Sequence, residues 1–384
     1  MYLDPGGEDI VVNDEFELLR SHGHEIERFT VWNGDVDTVT IPGLVHVSYD
    51  AVFGKRYEAK LKEVLRTYKP DVAHVHNTFP LLSPMTFKLL HEHGCRVVAT
   101  LHNYRFICAN ATFLRHGEIC TKCLTGSKFN SVIHGCYRNS PLGSAVVSAS
   151  STYHSYIGTF KKYVDSYIVF TALSKEQFIK RGFPGEKFIL MPKFVLTDPE
   201  LLVHAKREKR FVFAGRMSEE KGLEDLLQAW EQVQPTDWHL TVAGEGPERD
   251  RLKARYGNLP NTDWPGWLER GKVVELAANS RYLAFPSKCF EQGPLVTMEA
   301  MSMGTPVLVR NLGPLPEIVR PEGAGMVFED SGENDLAATL RKAMELPLED
   351  WQDLSRRALE KSKKMYSPET SYEYLMKAYG LNCK

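Results

Sequence analysis

Two glutamates in the second half of the chain, Glu291 and Glu299, stand where acidic side chains can meet a ligand. The stretch from Leu295 to Met303 is apolar at nearly every position, which predicts a buried helix that Pro294 opens. An unpaired buried carboxylate costs free energy, so Glu299 needs a partner. That partner is either a protein cation in a structural salt bridge or a donor on a ligand, such as a sugar hydroxyl. Glu291 lies in the loop before the helix, at its mouth.

Two cations follow a predicted strand earlier in the same half. Gly215 and Arg216 come directly after the strand, and Lys221 and Gly222 stand at the start of a helical pattern. Taken singly, long cations are usually solvated surface charges. Together with the N–H groups of a helix N-terminus they can face one anion, and a diphosphate fits.

Two further features belong to the same predicted sheet edge. The loop from Gly244 to Glu248 follows another strand, and its glycines permit a close backbone approach to a ligand. The helix that begins at Pro294 offers free N–H groups at the carboxyl ends of the strands, where open α/β folds bind ligands. We therefore expect these loops to form one anion-binding and hydroxyl-binding site.

The elements that must position these residues follow an α/β pattern. Short apolar runs alternate with helical patterns, which is typical of parallel sheets covered on both faces. The predicted strands are Glu25–Val31, Val72–His76, Arg96–Leu101 and Tyr167–Phe170 in the first half, and Phe211–Ala214, His239–Ala243, Tyr282–Phe285 and Pro306–Val309 in the second. The stretch from Met191 to Arg210 breaks the alternation and is the predicted linker.

Composition sets the outer limits. A chain of 384 residues with 43% hydrophobic residues has material for two cores. The formal net charge of -2 gives no basic field that would hold nucleic acid, so no nucleic-acid partner is expected. The sequence has no apolar run of transmembrane length and no signal-peptide pattern at its beginning. We expect a cytoplasmic protein, with possible contact to the inner face of the membrane.

The ordered motifs of the second half closely resemble those of family 4 glycosyltransferases. They are Gly215-Arg216-x4-Lys221-Gly222, Gly244-x-Gly246-Pro247-Glu248, Pro286-Ser287, Glu291-x7-Glu299-Ala300, Gly304-x-Pro306-Val307 and Gly313-x3-Glu317-Ile318. The resemblance implies a GT-B fold, in which two Rossmann-like parallel-sheet domains face each other across a cleft. It suggests an N-terminal acceptor-side domain over 1–195, a nucleotide-sugar-binding domain over 196–365, and a C-terminal helix over 366–384 that crosses back to the first domain.

The same resemblance implies a role for each motif residue. Arg216 and Lys221 would hold the donor diphosphate, Glu291 the donor-sugar hydroxyls, and Glu299 the ribose, while Glu245 and Gly246 would lie beside the base and ribose. The remaining implied donor-binding residues are Gly215, Gln292, Gly293, Pro294, Leu295 and Val296. Catalysis would rest on His102 together with Glu291, Arg216 and Lys221.

The first half supplies the other side of the implied site. Gly6 and Gly7 precede a helical pattern and resemble the glycine loop that the family places under the donor phosphate. Only Met1 to Asp4 precede that loop, so we expect a truncated first strand. His102 follows the strand Arg96–Leu101; the resemblance makes it the active-site histidine that touches the donor sugar, and the alternative is a histidine that caps its own strand.

Three residues are predicted on the acceptor side: His76, Asn77 and Asn103. His74 and His76 form an H-x-H pair, but the sequence offers no nearby third ligand, so we interpret the pair as cleft wall rather than a metal site. The D-x-D at Asp35 and Asp37 lies in a polar loop, and a cationic diphosphate site elsewhere makes a metal there unnecessary.

Four cysteines form a Cys108-x11-Cys120-x2-Cys123-x12-Cys136 pattern. Its C-x2-C centre fits a closed tetrahedral zinc site, and a chain expected to be intracellular disfavours disulfides. A redox-sensitive pair and plain buried cysteines remain alternatives. The helical stretch from Ala145 to Val164 ends in Lys161 and Lys162, which suggests either contact with anionic lipid or a solvated helix face.

The resemblance implies an enzyme of glycan or polysaccharide biosynthesis. The expected activity is a retaining, metal-independent transfer of a hexose from a nucleotide diphosphate sugar to a saccharide or lipid-linked saccharide, with no cofactor required for catalysis. The alternatives are a non-catalytic nucleotide-sugar-binding subunit and another GT-B enzyme, such as a sugar-nucleotide epimerase.

Overall fold

The structure is a computed structural model that describes residues 6–32, 40–196, 199–320, 322–333 and 335–382. The chain divides into two compact units. Unit 1 comprises Met1–Phe113, Cys120–Pro192 and Ser371–Lys384, and unit 2 comprises Leu114–Ile119 and Lys193–Thr370.

The elements up to residue 190 are helices and short strands. In chain order they are α1 (Gly7–Ser21), α2 (Ile41–Phe53), α3 (Glu58–Tyr68), β1 (Val72–Val75), α4 (Met85–Glu92), β2 (Arg96–Thr100), β3 (Leu114–Arg115), β4 (Glu118–Ile119), α5 (Lys122–Thr125), α6 (Asn130–Ile133), α7 (Pro141–Tyr156), α8 (Thr159–Lys162), β5 (Ser166–Val169), α9 (Ala172–Lys180) and β6 (Phe188–Leu190). The strands β1, β2, β5 and β6 form a parallel sheet in the order β1-β2-β5-β6.

The inner strands of this sheet are the ones that the apolar runs predict best. Residues 97–100 of β2 and 166–169 of β5 are all buried, because strands covered by helices on both faces bury both sets of side chains. The prediction was wrong at Glu25–Val31, where the structure assigns no strand. The residues of this segment are exposed or half-buried, and no described strand pairs with them, so the apolar alternation has no ladder to join.

Unit 2 contains a larger parallel sheet. Its elements are α10 (Pro199–His204), β7 (Glu208–Ala214), α11 (Leu223–Val233), β8 (His239–Ala243), α12 (Arg249–Tyr256), β9 (Thr262–Gly266), α13 (Arg270–Ala278), β10 (Ser280–Phe285), α14 (Leu295–Ser302), β11 (Val307–Arg310), α15 (Leu315–Val319), β12 (Gly325–Phe328), α16 (Leu336–Glu345) and α17 (Leu348–Met365). The strand order is β12-β11-β10-β7-β8-β9. Buried rings of Phe211, Trp230, Trp238 and Tyr282 pack together in its core.

The predicted linker also needs correction. Its described part contains the short helix α10, and its last residues, Glu208 to Arg210, already belong to β7. These charged residues extend the strand beyond its apolar centre because they pair with the neighbouring strands. Glu208 pairs with Ser280 of β10, and Arg210 pairs with His239 of β8. A charged run can therefore lie in a strand when its exposed end continues an apolar core.

The last helix, α18 (Pro368–Tyr379), follows unit 2 in the chain, but its residues from Ser371 onward belong to unit 1. Leu375 and Tyr379 are buried, and the Arg96 guanidinium donates a hydrogen bond to the carbonyl of Ala378. None of the described helices is both long enough and apolar enough to cross a bilayer.

The sheet order brings the motif loops together within each unit. In unit 2 the strands β10, β7 and β8 are neighbours, so their carboxyl ends place the loops at Pro286, Gly215 and Gly244 along one edge. In unit 1 the neighbours β1 and β2 place His76 and His102 at one edge. Both candidate sites thus follow from strand adjacency.

Candidate functional site

The central feature of unit 2 is an ion pair between Lys221 and Glu291. Lys221 Nζ donates to Glu291 Oε1 at 2.8 Å, and the hydroxyl of Ser287 donates to the same oxygen at 2.6 Å. A close backbone approach aligns the two loops. Gly222 has φ +68, and a Cβ built on it would lie 2.1 Å from the carbonyl oxygen of Pro286. Only glycine allows this approach, which brings the loop before α11 against the loop after β10.

Each partner keeps the other ionised. Burial would raise the pKa of Glu291, but the charge and hydrogen bond of Lys221, the Ser287 hydroxyl and the charge of Lys193 outweigh it, so the pKa lies below its ordinary value. Burial would lower the pKa of Lys221, but Glu291 outweighs it, and the pKa lies above its ordinary value. Glu291 is therefore a carboxylate at neutral pH and accepts hydrogen bonds.

A second network supports the loop after β10 from behind. The guanidinium of Arg310 donates to the carbonyl of Pro286 at 3.2 Å and to Asp225 Oδ2 at 2.5 Å, and it also pairs with Asp330. Lys288 Nζ lies 2.6 Å from the other oxygen of Asp225. These charged contacts connect the loop to the first turn of α11 and to the strand β11.

Glu299 has a protein cation as its partner. Its side chain is buried in α14, and Arg270, the first residue of α13, donates to Glu299 Oε1 from Nε at 2.5 Å. The sequence left this partner open between a cation and a ligand. The pair joins residues 29 positions apart, and no local pattern connects them.

The other predicted donor residues lie in the loop after β10, at the start of α14 and in the loop after β7. Gly293 has φ +67, Gln292 and Leu295 are buried, and Pro294 and Val296 are half-buried at the start of α14. Gly215 and Arg216 are exposed, and the Arg216 side chain has no hydrogen bond or ion pair within the part of the chain that the structure describes.

The glycines after β8 approach the chain's own backbone. A Cβ on Gly244 (φ +139) would lie 1.9 Å from the carbonyl oxygen of Gly215, and one on Gly246 (φ +156) would lie 2.4 Å from that of Met217. The Met217 N–H donates to the carbonyl of Glu245 at 2.8 Å. Glycine is therefore needed at both positions because the loops after β7 and β8 pack closely against each other. The side chain of Glu245 is exposed and pairs with Arg249 at 3.1 Å.

In unit 1, the predicted histidines of neighbouring strands are in contact. Nδ1 of His76 lies 3.0 Å from Nε2 of His102, and the ring of His102 packs 5.4 Å from that of Phe170. Burial, followed by the charge of Arg28, lowers the pKa of His76 to about 4. The two acceptor-side asparagines each accept a hydrogen bond from the backbone N–H two residues later. They are Asn77, bonded to Phe79, and Asn103, bonded to Arg105.

Gly6 and Gly7 begin α1. The Gly6 N–H donates to the Asp9 carboxylate at 3.1 Å, which caps the helix. A Cβ built on either glycine would meet no described atom within 4 Å. The described residues therefore leave room for a side chain at each of these two positions.

Two neighbours of the histidines were missed by sequence reasoning. Glu15 of α1 is buried, and its carboxylate lies 3.7 Å from Nδ1 of His74 and 3.6 Å from Nε2 of His76. Tyr379 Oη lies 2.9 Å from Nδ1 of His74. Glu15 stands on the helix face that carries Val11 and Leu18, both buried, and this placement of an acid is the one signal that the sequence contained.

The other three cysteines of the pattern lie near enough to Cys123 to affect its pKa. Burial, and after it the neighbouring Cys108 and Cys136, raise the pKa of Cys123 to about 11, and Cys120 contributes less. Burial also raises the pKa of Cys108. Among the described residues, Glu15, His74 and His76 form a group whose potential ligand atoms all lie within 4.8 Å of one another. No group of three or more described residues that includes a cysteine meets this distance. Asp35, Asp37 and Met1–Asp4 lie outside the described residues.

The chain is similar to known glycosyltransferases along most of its length. Two family models cover it: Glycosyltransferase Family 4 matches residues 5–198 and Glycosyl transferases group 1 matches residues 197–365. An uncharacterised glycosyltransferase of Methanocaldococcus jannaschii is 31% identical over 123 residues, which span 31% of this chain and 31% of that protein. N-acetyl-alpha-D-glucosaminyl L-malate synthase of Bacillus anthracis is 23% identical over 90% of this chain and 87% of its own length.

A solved structure extends the likeness to the whole fold. The structure of Anabaena HepE in complex with UDP and glucose superposes with a TM-score of 0.65 at 15% identity, covering 98% of this chain and 97% of HepE. The two parallel-sheet units have the GT-B fold, and the protein is a glycosyltransferase by its domains. The chain belongs to glycosyltransferase family 4.

Proposed function

We propose that this chain transfers a hexose from a nucleotide diphosphate sugar to a saccharide or lipid-linked saccharide in glycan biosynthesis. The transfer retains the anomeric configuration and needs no metal at the diphosphate. The observation that carries the proposal is the Lys221–Glu291 pair, 2.8 Å long, at the carboxyl edge of the larger sheet. A lysine donates hydrogen bonds to phosphate oxygens, and a carboxylate accepts them from sugar hydroxyls. The pair can therefore bind both the diphosphate and the sugar of a donor.

Donor binding exchanges the partners of this pair. The diphosphate accepts hydrogen bonds from Lys221 and from the exposed Arg216, and Glu291 accepts them from hydroxyls of the sugar. The lowered pKa of Glu291 keeps it ionised, which suits binding rather than proton donation. The two cations then stabilise the negative charge that builds on the leaving diphosphate, and such preorganised charge is usually the largest catalytic contribution.

Glu299 belongs to the nucleotide side of the proposed site. A carboxylate has about four lone-pair positions, so its bond to Arg270 is compatible with a ribose hydroxyl at the same residue. In unit 1, His102 is proposed to touch the donor sugar, and Gly6 and Gly7 its phosphate. The UDP and glucose bound to HepE support a nucleotide-sugar donor.

Mass-spectrometric screening of UDP-, GDP- and ADP-sugars for slow hydrolysis tests the proposal without an acceptor. We expect one donor to release its sugar. Glu291→Gln should lose this turnover while keeping affinity for the nucleoside diphosphate, and Lys221→Met should lose both. Lys209→Met, which removes an exposed ion pair with Asp237, serves as the control and should retain both.

Two other outcomes of this screen would indicate a different function. Tight nucleotide binding with no hydrolysis or transfer for any donor would indicate a non-catalytic binding subunit. Conversion of one nucleotide sugar into its epimer would indicate an epimerase.

The cysteine loop is proposed to hold a structural zinc ion through Cys108, Cys120, Cys123 and Cys136. The other three sulfurs lie near enough to Cys123 for their charge to raise its pKa, and zinc would bind all four as thiolates. Cys123→Ser should then release one zinc ion per chain and lower the melting temperature. Equal zinc content in the variant and the parent would contradict the site.

An exposed apolar surface of unit 1 is proposed to rest on the inner face of the membrane. Leu142, Tyr153 and Tyr156 of α7 are exposed. The helix α2 packs beside α7, where the Ser150 hydroxyl donates a hydrogen bond to the carbonyl of Ala51. Apolar side chains beside lysines favour anionic lipid. Co-sedimentation with phosphatidylglycerol vesicles should fall in Tyr156→Ser, and an unchanged bound fraction would refute the contact.

A further inference from the structure

Three side chains from two segments of unit 1, the helix α1 and the strand β1 with the residue after it, direct potential ligand atoms toward one point. Glu15 Oε2 lies 3.7 Å from Nδ1 of His74 and 3.6 Å from Nε2 of His76, and the three ligand atoms all lie within 4.8 Å of one another. In a tetrahedral site with bonds of about 2.0–2.1 Å, neighbouring ligand atoms are about 3.3 Å apart. The two oxygen–nitrogen edges of the cluster are within a few tenths of an ångström of that spacing.

The opposite nitrogen of each ring already has a polar partner. Nε2 of His74 lies 2.7 Å from Oγ1 of Thr100, and Nδ1 of His76 lies 3.0 Å from Nε2 of His102. Metal-binding histidines almost always donate their second N–H to such a partner, which fixes both tautomer and ring orientation. Both rings are therefore held as metal ligands are held, with the remaining nitrogen facing Glu15.

The surroundings suit a cation. The side chain of Glu15 is 2% exposed, so its carboxylate is shielded from competing water. An imidazole binds a metal ion through the lone pair of a nitrogen that carries no proton. Tyr379 Oη lies 2.9 Å from Nδ1 of His74, at the edge of the cluster.

We propose that Glu15, His74 and His76 bind one zinc-class divalent transition-metal ion in unit 1. Imidazole with a carboxylate suits zinc better than calcium or magnesium, which prefer oxygen ligands throughout. The ion connects α1 to β1 and takes no part in the transfer. Bound to Nε2 of His76, it leaves the proton on Nδ1, which donates to Nε2 of His102 and so orients that ring.

Zinc content is the direct test, and the cysteine loop must be separated from it. In the Cys123→Ser background, zinc per chain is measured by mass spectrometry after dialysis against buffered zinc. We expect one zinc ion, which Glu15→Gln removes and Glu17→Gln retains, since Glu17 stands on the same helix with a side chain that is 69% exposed. Cobalt should give visible d–d bands without a thiolate charge-transfer band, and Glu15→Gln should abolish them.

A milder variant keeps the test decisive if Glu15→Gln fails to fold. Thr100→Val removes the partner of His74 Nε2 while keeping the side-chain shape, and it should weaken zinc binding roughly 10- to 100-fold. The same variant should lose most of the zinc-induced rise in melting temperature at low zinc. Equal zinc content and an equal melting-temperature rise in the Glu15, Thr100 and Glu17 variants would overturn the proposal.

Discussion

Replacing Glu291 by glutamine keeps the shape of the side chain but removes the charge 2.8 Å from the Lys221 ammonium. At that distance and an effective dielectric of 20, the Coulomb attraction is about 6 kcal/mol, much of which offsets the cost of desolvating both ions. Removing one partner of a buried pair typically costs about 3–5 kcal/mol. The Lys221 side chain keeps 25% exposure and can regain some water, so we expect the free energy of unfolding to fall by about 3 kcal/mol.

This loss should lower the melting temperature by about 6–12 °C for a unit of this size. Denaturant unfolding of the parent, Glu291→Gln, Lys221→Met and the double variant measures it as a double-mutant cycle. The double variant strands no charge, so it should be more stable than the sum of the single effects predicts, by at least about 1 kcal/mol. A single-variant effect below about 0.5 kcal/mol, together with additive energies in the cycle, would refute the reasoning.

Three further predictions follow from the same unit. The pKa of Glu291 is lower in the folded state than in the unfolded state, so its charge stabilises the fold fully above about pH 4.3, and this stabilisation is lost as pH falls through the folded-state pKa. The difference in unfolding free energy between the parent and Glu291→Gln should therefore stay level from pH 5 to 7 and shrink below about pH 4.3. Gly222→Ala adds a steric clash to a left-handed φ, and it should cost at least about 2 kcal/mol more than Gly332→Ala, where φ is +89 and a Cβ meets nothing within 4 Å; equal unfolding curves would contradict the clash. Arg270→Ala strands the carboxylate of Glu299 and should cost about 3 kcal/mol, whereas the double change with Glu299→Gln should recover part of it in the same assay.

The strands that the sequence missed lie at sheet edges or, in the case of β3 and β4, pair only with each other. β6 ends the smaller sheet, and β9 and β12 end the larger one. An edge strand pairs on one side only and buries fewer side chains, so it needs no apolar run; β9 even contains Pro265 and Gly266. The inner strands β2, β5, β7, β8, β10 and β11 were predicted because both of their faces are covered.

The candidate site divides in a similar way. The motif residues of the loops follow their strands in the sequence, so strand adjacency alone brings Lys221 and Glu291 to one sheet edge. Arg270 was not predicted as the partner of Glu299, nor Glu15 as a neighbour of His74, because each contact joins separate helices and strands through packing angles that no local spacing encodes.

The sequence by itself determined the α/β class, the order of the inner strands along the chain, and the loops that carry Arg216, Lys221 and Glu291, because burial on both faces and glycine-rich strand ends leave a local pattern. Only the tertiary structure decided which charge meets which. It placed Lys221 on Glu291, Arg270 on Glu299, and Glu15 beneath two histidines, since ion pairs and ligand clusters depend on distances between elements far apart in the chain.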